Sequence, residues 1–151
     1  MTGAEFKRGI YRAFERAGFA KQGYALQVPG DGATTLVDAH KGFGDQWFIN
    51  AGFCLHRLAS EPADRVEKAH MYFRLERLFP EHQVLILDAG ALEDPRQPGA
   101  YPLLLELLAG DIGAGLRALG TEQAIIEAYR MGRLNQGLVL GIAREMILPS
   151  A

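Results

Sequence analysis

The chain has 151 residues, 48% of them hydrophobic and 23% charged, with a formal net charge of −2 and a pI near 6.1. A chain of this length buries about 70% of the surface its unfolded form exposes, so one core over residues 1–151, a single domain, is expected without staples. The weak, mixed charge excludes the strong pull on nucleic acid or anionic membrane that a basic protein exerts.

Glu5 to Ala17 reads as an amphipathic helix. Phe6, Ile10 and Phe14 recur every four residues, with Ala13 and Ala17 beside them and charged residues opposite. Thr2 and Glu5 have the spacing of a capping box, and Gly18 stands where a helix ends. The charges within MTGAEFKRGIYRAFERAGF leave no apolar stretch of the kind a signal peptide needs, so a cytoplasmic setting is expected.

Strands come next. Tyr24 to Val28 alternates, PGDGAT is a turn cluster, Thr35 to Lys41 is a second strand, and Asp45 to Arg57 is a third after the turn GFG. A three-residue loop at Gly42 to Gly44 sets Lys41 against Asp45, Val37 against Ile49 and Ala39 against Trp47. One face then carries Tyr24, Leu26, Val28, Val37, Ala39, Trp47, Ile49, Ala51, Phe53 and Leu55, which the first helix would cover. Glu61 to Leu78 has a helical apolar spacing with Pro62 in its first turn, although MYFRLERLF at its end also tolerates extended structure, and VLILD at Val84 to Asp88 reads as a fourth strand. EDPRQPGAYP is a loop. The remainder reads as helices at Pro102 to Ala109, Ile112 to Leu119, Glu122 to Met131 (capped by Thr121) and Gly137 to Ile147. The run from Tyr101 to Ala109 is too short to span a bilayer. The class is therefore α+β: an antiparallel sheet of about four strands, the first helix and the helix after Leu58 on one face, and a C-terminal helical group.

The polar side of the hairpin carries the chemistry. In the expected register Asp38 faces Phe48, His40 faces Gln46 and Leu36 faces Asn50, so Asp38, His40, Gln46, Phe48 and Asn50 form one mixed polar–aromatic patch. Cys54 and His56 share that face about 7 Å apart, too far for a thiol–imidazole bond, and a strand interior supplies no cation to activate a thiol. A lone cysteine also excludes an internal disulfide and a multi-Cys zinc site. His40 faces Gln46, and His56 lies ten residues further along, some 33 Å away at about 3.3 Å per residue. No metal cluster is therefore expected, and no cofactor. Arg74 and Arg77 in FRLERL either clamp an anion or pair with surface acids. GDIGAG lacks the order of a dinucleotide fingerprint and the Lys-Ser/Thr of a phosphate loop. The helices joined by GRLNQ carry too few Arg for a DNA-binding pair.

Three stretches carry a resemblance. FKRGIYRAFERAGFAKQGYAL resembles a helix followed by Gly-Phe-x-Lys-x-Gly and an aromatic strand start. TLVDAHKGFGDQWFINAGF resembles an apolar strand ending in Lys, then a strand ending Asn-x-Gly, and HMYFRLERLF resembles a His-then-Arg stretch ending in Leu. Together they resemble domain of unknown function family 4304, small bacterial proteins, over roughly Phe6 to Leu78. The chain departs from that pattern at Ala69, where a Cys is frequent, and in QVLILDA, which lacks a common Trp. The resemblance implies a cytoplasmic α+β domain and no activity or catalytic residue. With no nucleophile set, metal cluster or phosphate loop, the expected function is a non-catalytic protein-binding module, monomeric or homodimeric. The rival is a small-ligand binder or enzyme using Asp38, His40 and Asn50, with Arg74 or Arg77 holding an anion.

Overall fold

The structure is a computed structural model that describes residues 1–134 and 137–147. Helix α1 (Gly3–Arg16) precedes β1 (Ala20–Gln22), β2 (Ala25–Pro29), β3 (Ala33–Lys41) and β4 (Trp47–Leu55). A 3-10 turn at Val66–Lys68 leads into β5 (Met71–Arg74), which runs straight into the short helix α2 (Leu75–Leu78). Helices α3 (Gln83–Gly90), α4 (Gln97–Ala109), α5 (Asp111–Leu119) and α6 (Glu122–Arg130) follow, then β6 (Leu138–Val139) and α7 (Gly141–Ile147). The strands form one antiparallel sheet in the order β1 to β6. The fold is α+β, with six strands where about four were expected. Among the described residues no helix is long and apolar enough to cross a membrane.

Helix α1 is closed at both ends as its sequence implies. The Glu5 backbone N–H donates to Thr2 Oγ1 at 3.1 Å, and the Thr2 N–H donates to Glu5 Oε1 at 3.2 Å. At the other end Gly18 takes a φ of 102°. Its N–H donates to the Glu15 carbonyl and that of Phe19 to the Phe14 carbonyl, each at 3.0 Å. The Phe14 and Phe19 rings meet at 5.2 Å, the apolar contact that accompanies this helix ending. Phe6, Ile10, Ala13 and Phe14 are buried against the sheet. The C-terminal helices tie back to α1 through polar bonds. Tyr101 Oη donates to the Phe6 carbonyl at 3.0 Å, and Arg117 Nη1 donates to the Ala17 carbonyl at 3.1 Å.

The β3–β4 register differs from expectation by two residues: Lys41 pairs with Trp47, Ala39 with Ile49, Val37 with Ala51 and Asp38 with Asn50. The connection is longer than three residues, with the Gly42 N–H donating to the Gln46 carbonyl at 2.7 Å and Gly44 at a φ of 61°. A two-residue shift preserves the faces, because side chains alternate with period two. Leu26, Val28, Val37, Ala39, Ile49, Ala51, Phe53 and Leu55 are accordingly buried toward the helices. Trp47 is only half-buried, against Phe6. Tyr24 is an error of the sequence reading: it precedes β2, is 65% exposed and lies under the Arg65 guanidinium.

Several stretches differ from the expected type. No α-helix forms from Glu61, and Met71–Arg74 takes the extended alternative, as a strand, because β4 offers an unpaired edge and Met71 and Phe73 alternate inward. VLILD is helical inside α3, where Ile86 and Ala89 bury; a short apolar run does not distinguish strand from helix by periodicity. Helix α4 starts at Gln97, inside the expected loop, and Gly137 to Ile147 divides into β6 and α7. Within GRLNQ, Asn135 and Gln136 lie outside the described residues.

The helix expected from Glu61 does not form, and the apolar face is covered by α1 and the helices that follow β5. The chain between β4 and β5 instead lies over the opposite face, where Ala25, Leu36, Cys54, Val66 and Ala69 form a second small apolar cluster. Gly52 makes this close approach possible. A Cβ there would stand 2.8 Å from Ala69 Cβ and 3.0 and 3.1 Å from the Met71 and Val66 carbonyl oxygens. Gly52→Val is expected to destabilise the protein by about 1–3 kcal/mol, the usual range for overpacking. A urea midpoint equal to that of the unmodified protein would show that the 66–69 turn lifts away without resistance.

Candidate functional site

The pairings Asp38 with Asn50 and Asn50 with Arg74 set three polar residues in one row across β3, β4 and β5. His40 pairs with Phe48 in the next row of the same face. Beyond Leu26↔Val37 strand β2 no longer flanks β3, so this end of β3 is an open edge. The 3-10 turn seated on Gly52 brings Glu67 over the group. A cavity of about 240 Å³ results, lined among others by His40, Phe48, Asn50, Glu67, Tyr72 and Arg74.

Asp38 is the fixed point. It is 2% exposed; its Oδ2 stands 2.8 Å from His40 Nε2, and its Oδ1 accepts from Asn50 Nδ2 at 3.2 Å. Burial pushes its carboxyl above the usual range, while His40 and Asn50 pull it back down and the Glu67 charge adds to the rise. The His40 side chain is 55% exposed, so a buried acid orients an imidazole that reaches solvent. Asn50 is 5% exposed, and its Oδ1 has no hydrogen-bond partner. The Arg74 guanidinium lies 3.7 Å from the centre of the Phe48 ring, a stacked position that restrains its donors. From the helix side, Tyr11 has its hydroxyl pushed up to about 12 by burial, with the Asp38 charge contributing.

Of the expected site residues, the structure brings Asp38, His40, Phe48, Asn50 and Arg74 together. Gln46 is elsewhere: its Nε2 donates to the Trp47 and Leu87 carbonyls, each at 3.0 Å, and ties the hairpin to α3. Arg77 lines a separate cavity of about 640 Å³ with Glu76, Pro80, Glu81 and Arg133. Glu67 and Tyr72 were not anticipated. Both fall in the stretch read as helix, and only the strand pairing of β5 and the turn before it point them here. Cys54 behaves as a buried apolar residue. Burial pushes its thiol up, the Ala63 N–H approaches its sulfur at 3.4 Å, and His56 bonds Thr34 Oγ1 at 2.8 Å rather than the thiol.

Comparison of the chain with protein-family models, with curated proteins and with solved structures finds no match.

The larger cavity contains a buried acid. Glu76 is 4% exposed, its Oε2 has no hydrogen-bond partner, and burial raises its carboxyl above the ordinary 4.5 despite its own backbone N–H, Arg74 and Arg77. A raised folded-state value favours the folded state below 4.5, and that contribution is lost as pH climbs through the folded value. Glu76→Gln is therefore expected to be more stable than the unmodified protein near neutral pH, by about 1–3 kcal/mol, with the advantage vanishing at acid pH. Denaturant midpoints at pH 7.5 and pH 4 check this. A variant that is less stable at pH 7.5 would mean that the charged carboxylate is held by a favourable partner.

Proposed function

We propose that this chain binds a small anionic molecule in the pocket on the open sheet face. Arg74 is the anion anchor, and His40, oriented by Asp38, is the hydrogen-bonding group beside it. The observation that supports this most is the buried Asp38 bonded to an exposed His40, which lines a cavity beside a guanidinium that lies over Phe48. A buried carboxylate is costly unless it is bonded, and here its bonds orient groups toward the cavity rather than into the core. Lys41 adds positive charge at the rim. The proposed role is binding; the proton-accepting capacity of His40 is its one chemical asset, with no nucleophile assigned.

A thermal-shift panel of carboxylates, phosphates, nucleotides and sugars tests the reading. A ligand at a hundred times its dissociation constant adds about 2.7 kcal/mol, which moves the melting point by several degrees. The expected result is a shift by an anionic compound that is lost in Arg74→Ala and in His40→Ala, with the unliganded melting point of Arg74→Ala little changed and that of His40→Ala lowered, because the buried Asp38 loses one of its two hydrogen bonds. A shift that survives both substitutions, or none across the panel, would overturn it.

Phe43 favours a second reading, a non-catalytic protein-interaction module. It is 98% exposed on the loop that borders the pocket. In the homodimeric form of this reading the ring packs against a second copy. Light scattering would then give twice 16.6 kDa for the unmodified protein and 16.6 kDa for Phe43→Ser. A cytoplasmic setting is part of the proposal, supported by the buried, unpaired Cys54. Kinship with family 4304 is likewise a proposal; it rests on the sequence marks and adds no residue to the site.

A further inference from the structure

Three potential metal ligands meet beside the pocket, Asp38 and His40 from β3 and Glu67 from the turn before β5. One ligand atom each from Asp38, His40 and Glu67 lies within 4.8 Å of the others. Donors held about 2.1 Å from a shared ion stand roughly 3–4 Å apart, so the three need to close only slightly. The two that would move are exposed: His40 at the strand end and Glu67 on its turn. Asp38, the buried member, is held by Asn50. Asp38 Oδ2 and His40 Nε2, now hydrogen-bonded at 2.8 Å, would need to part only slightly to become neighbouring ligands of one ion. Independently, Asn50, which lines the same cavity, has a buried Oδ1 with no donor to satisfy it. A cation beside it is one partner that would satisfy this acceptor, at a residue 5% exposed.

We propose that Asp38, His40 and Glu67 bind one divalent first-row transition ion, such as Zn²⁺ or Mn²⁺. Two carboxylates and one imidazole suit this class. Ca²⁺ would need six or more oxygen ligands, and soft monovalent copper would need sulfur. The two carboxylate charges balance the ion. Three protein ligands leave a coordination position open toward the cavity, where Arg74 and Lys41 stand. An anion in that position contacts the metal and Arg74 together, which relieves its repulsion from Asp38 and Glu67. This last step rests on the anion-binding reading above; the ion site itself does not.

The test is calorimetric titration of the untagged, EDTA-stripped protein with Zn²⁺ and with Mn²⁺ alone. One equivalent of at least one ion is expected to bind. Glu67→Gln and His40→Ala are each expected to weaken it more than about tenfold. Glu67 is exposed, so Glu67→Gln is expected to keep the melting point of the stripped protein, while His40→Ala lowers it by removing a bond from the buried Asp38 and is titrated well below its own midpoint; His82→Ala serves as a histidine control away from the pocket and should bind the ion as the unmodified protein does. No binding of either ion at millimolar concentration, or binding that both variants retain, would overturn the proposal. Repeating the titration with inorganic phosphate, with and without metal, separates the two readings. Phosphate bound by the stripped protein and lost in Arg74→Ala, with no metal uptake, retains the anion site and removes the ion. Metal uptake with no phosphate binding does the reverse.

Discussion

The nine-residue pairing of β3 with β4 is the constraint on which the rest depends. Two strands in register must send alternate side chains to opposite faces, and these two strands are apolar on one face and polar at one end of the other. That partition gives α1 an apolar surface to cover. It also leaves Asp38, His40 and Asn50 on the side away from the main core. Because the ladder extends past the last pairing of β2, the polar end of β3 has no strand on its β2 side, and Tyr11 of α1 comes near Asp38 there. A slip of one residue would exchange the faces; the observed displacement of two leaves them intact.

Burying a carboxylate opposes folding, and this chain accepts that twice. At Asp38 the surroundings answer with two hydrogen bonds, from His40 and Asn50. At Glu76 one oxygen is left without a partner. The contrast separates a group that arranges its neighbours from one that merely costs stability. Asp38 aligns an imidazole and an amide around a cavity, and a charged guanidinium stacked on Phe48 completes that wall. The second face of the sheet is therefore neither a solvated surface nor a full core. It is apolar around Leu36, Cys54 and Val66, and polar around Asp38.

Gly52 joins the two halves of that face. With no side chain there, the 66–69 turn lies directly on β4, and the same turn carries Glu67 to the rim of the cavity. The helical layer on the other face is built differently, from amphipathic helices that share one apolar cluster with the sheet. Of its polar ties, the one from Arg117 to the Ala17 carbonyl satisfies a group at the helix end that α1 cannot satisfy alone, and the one from Tyr101 adds a second bond to the Phe6 carbonyl.

Local chemistry was legible in the residues themselves. The Thr2–Glu5 box, the Gly18 ending, the Thr121 cap and the period-two alternation of β3 and β4 are set by neighbours a few positions apart. For that reason the first helix, the hairpin faces and the grouping of Asp38, His40, Phe48 and Asn50 followed from sequence. Long-range choices were not legible. Whether Met71–Arg74 became a strand depended on the free edge of β4, and whether VLILD became a helix depended on what packs around it. Glu67 and Tyr72 joined the site through that same strand, and Gln46 and Arg77 left it through loop length and helix placement. The sequence alone determined which side of the hairpin is polar, because alternation is a property of a single strand. Only the tertiary structure decided which distant groups meet there, because an unpaired edge and a glycine-sized gap act between segments and not within them.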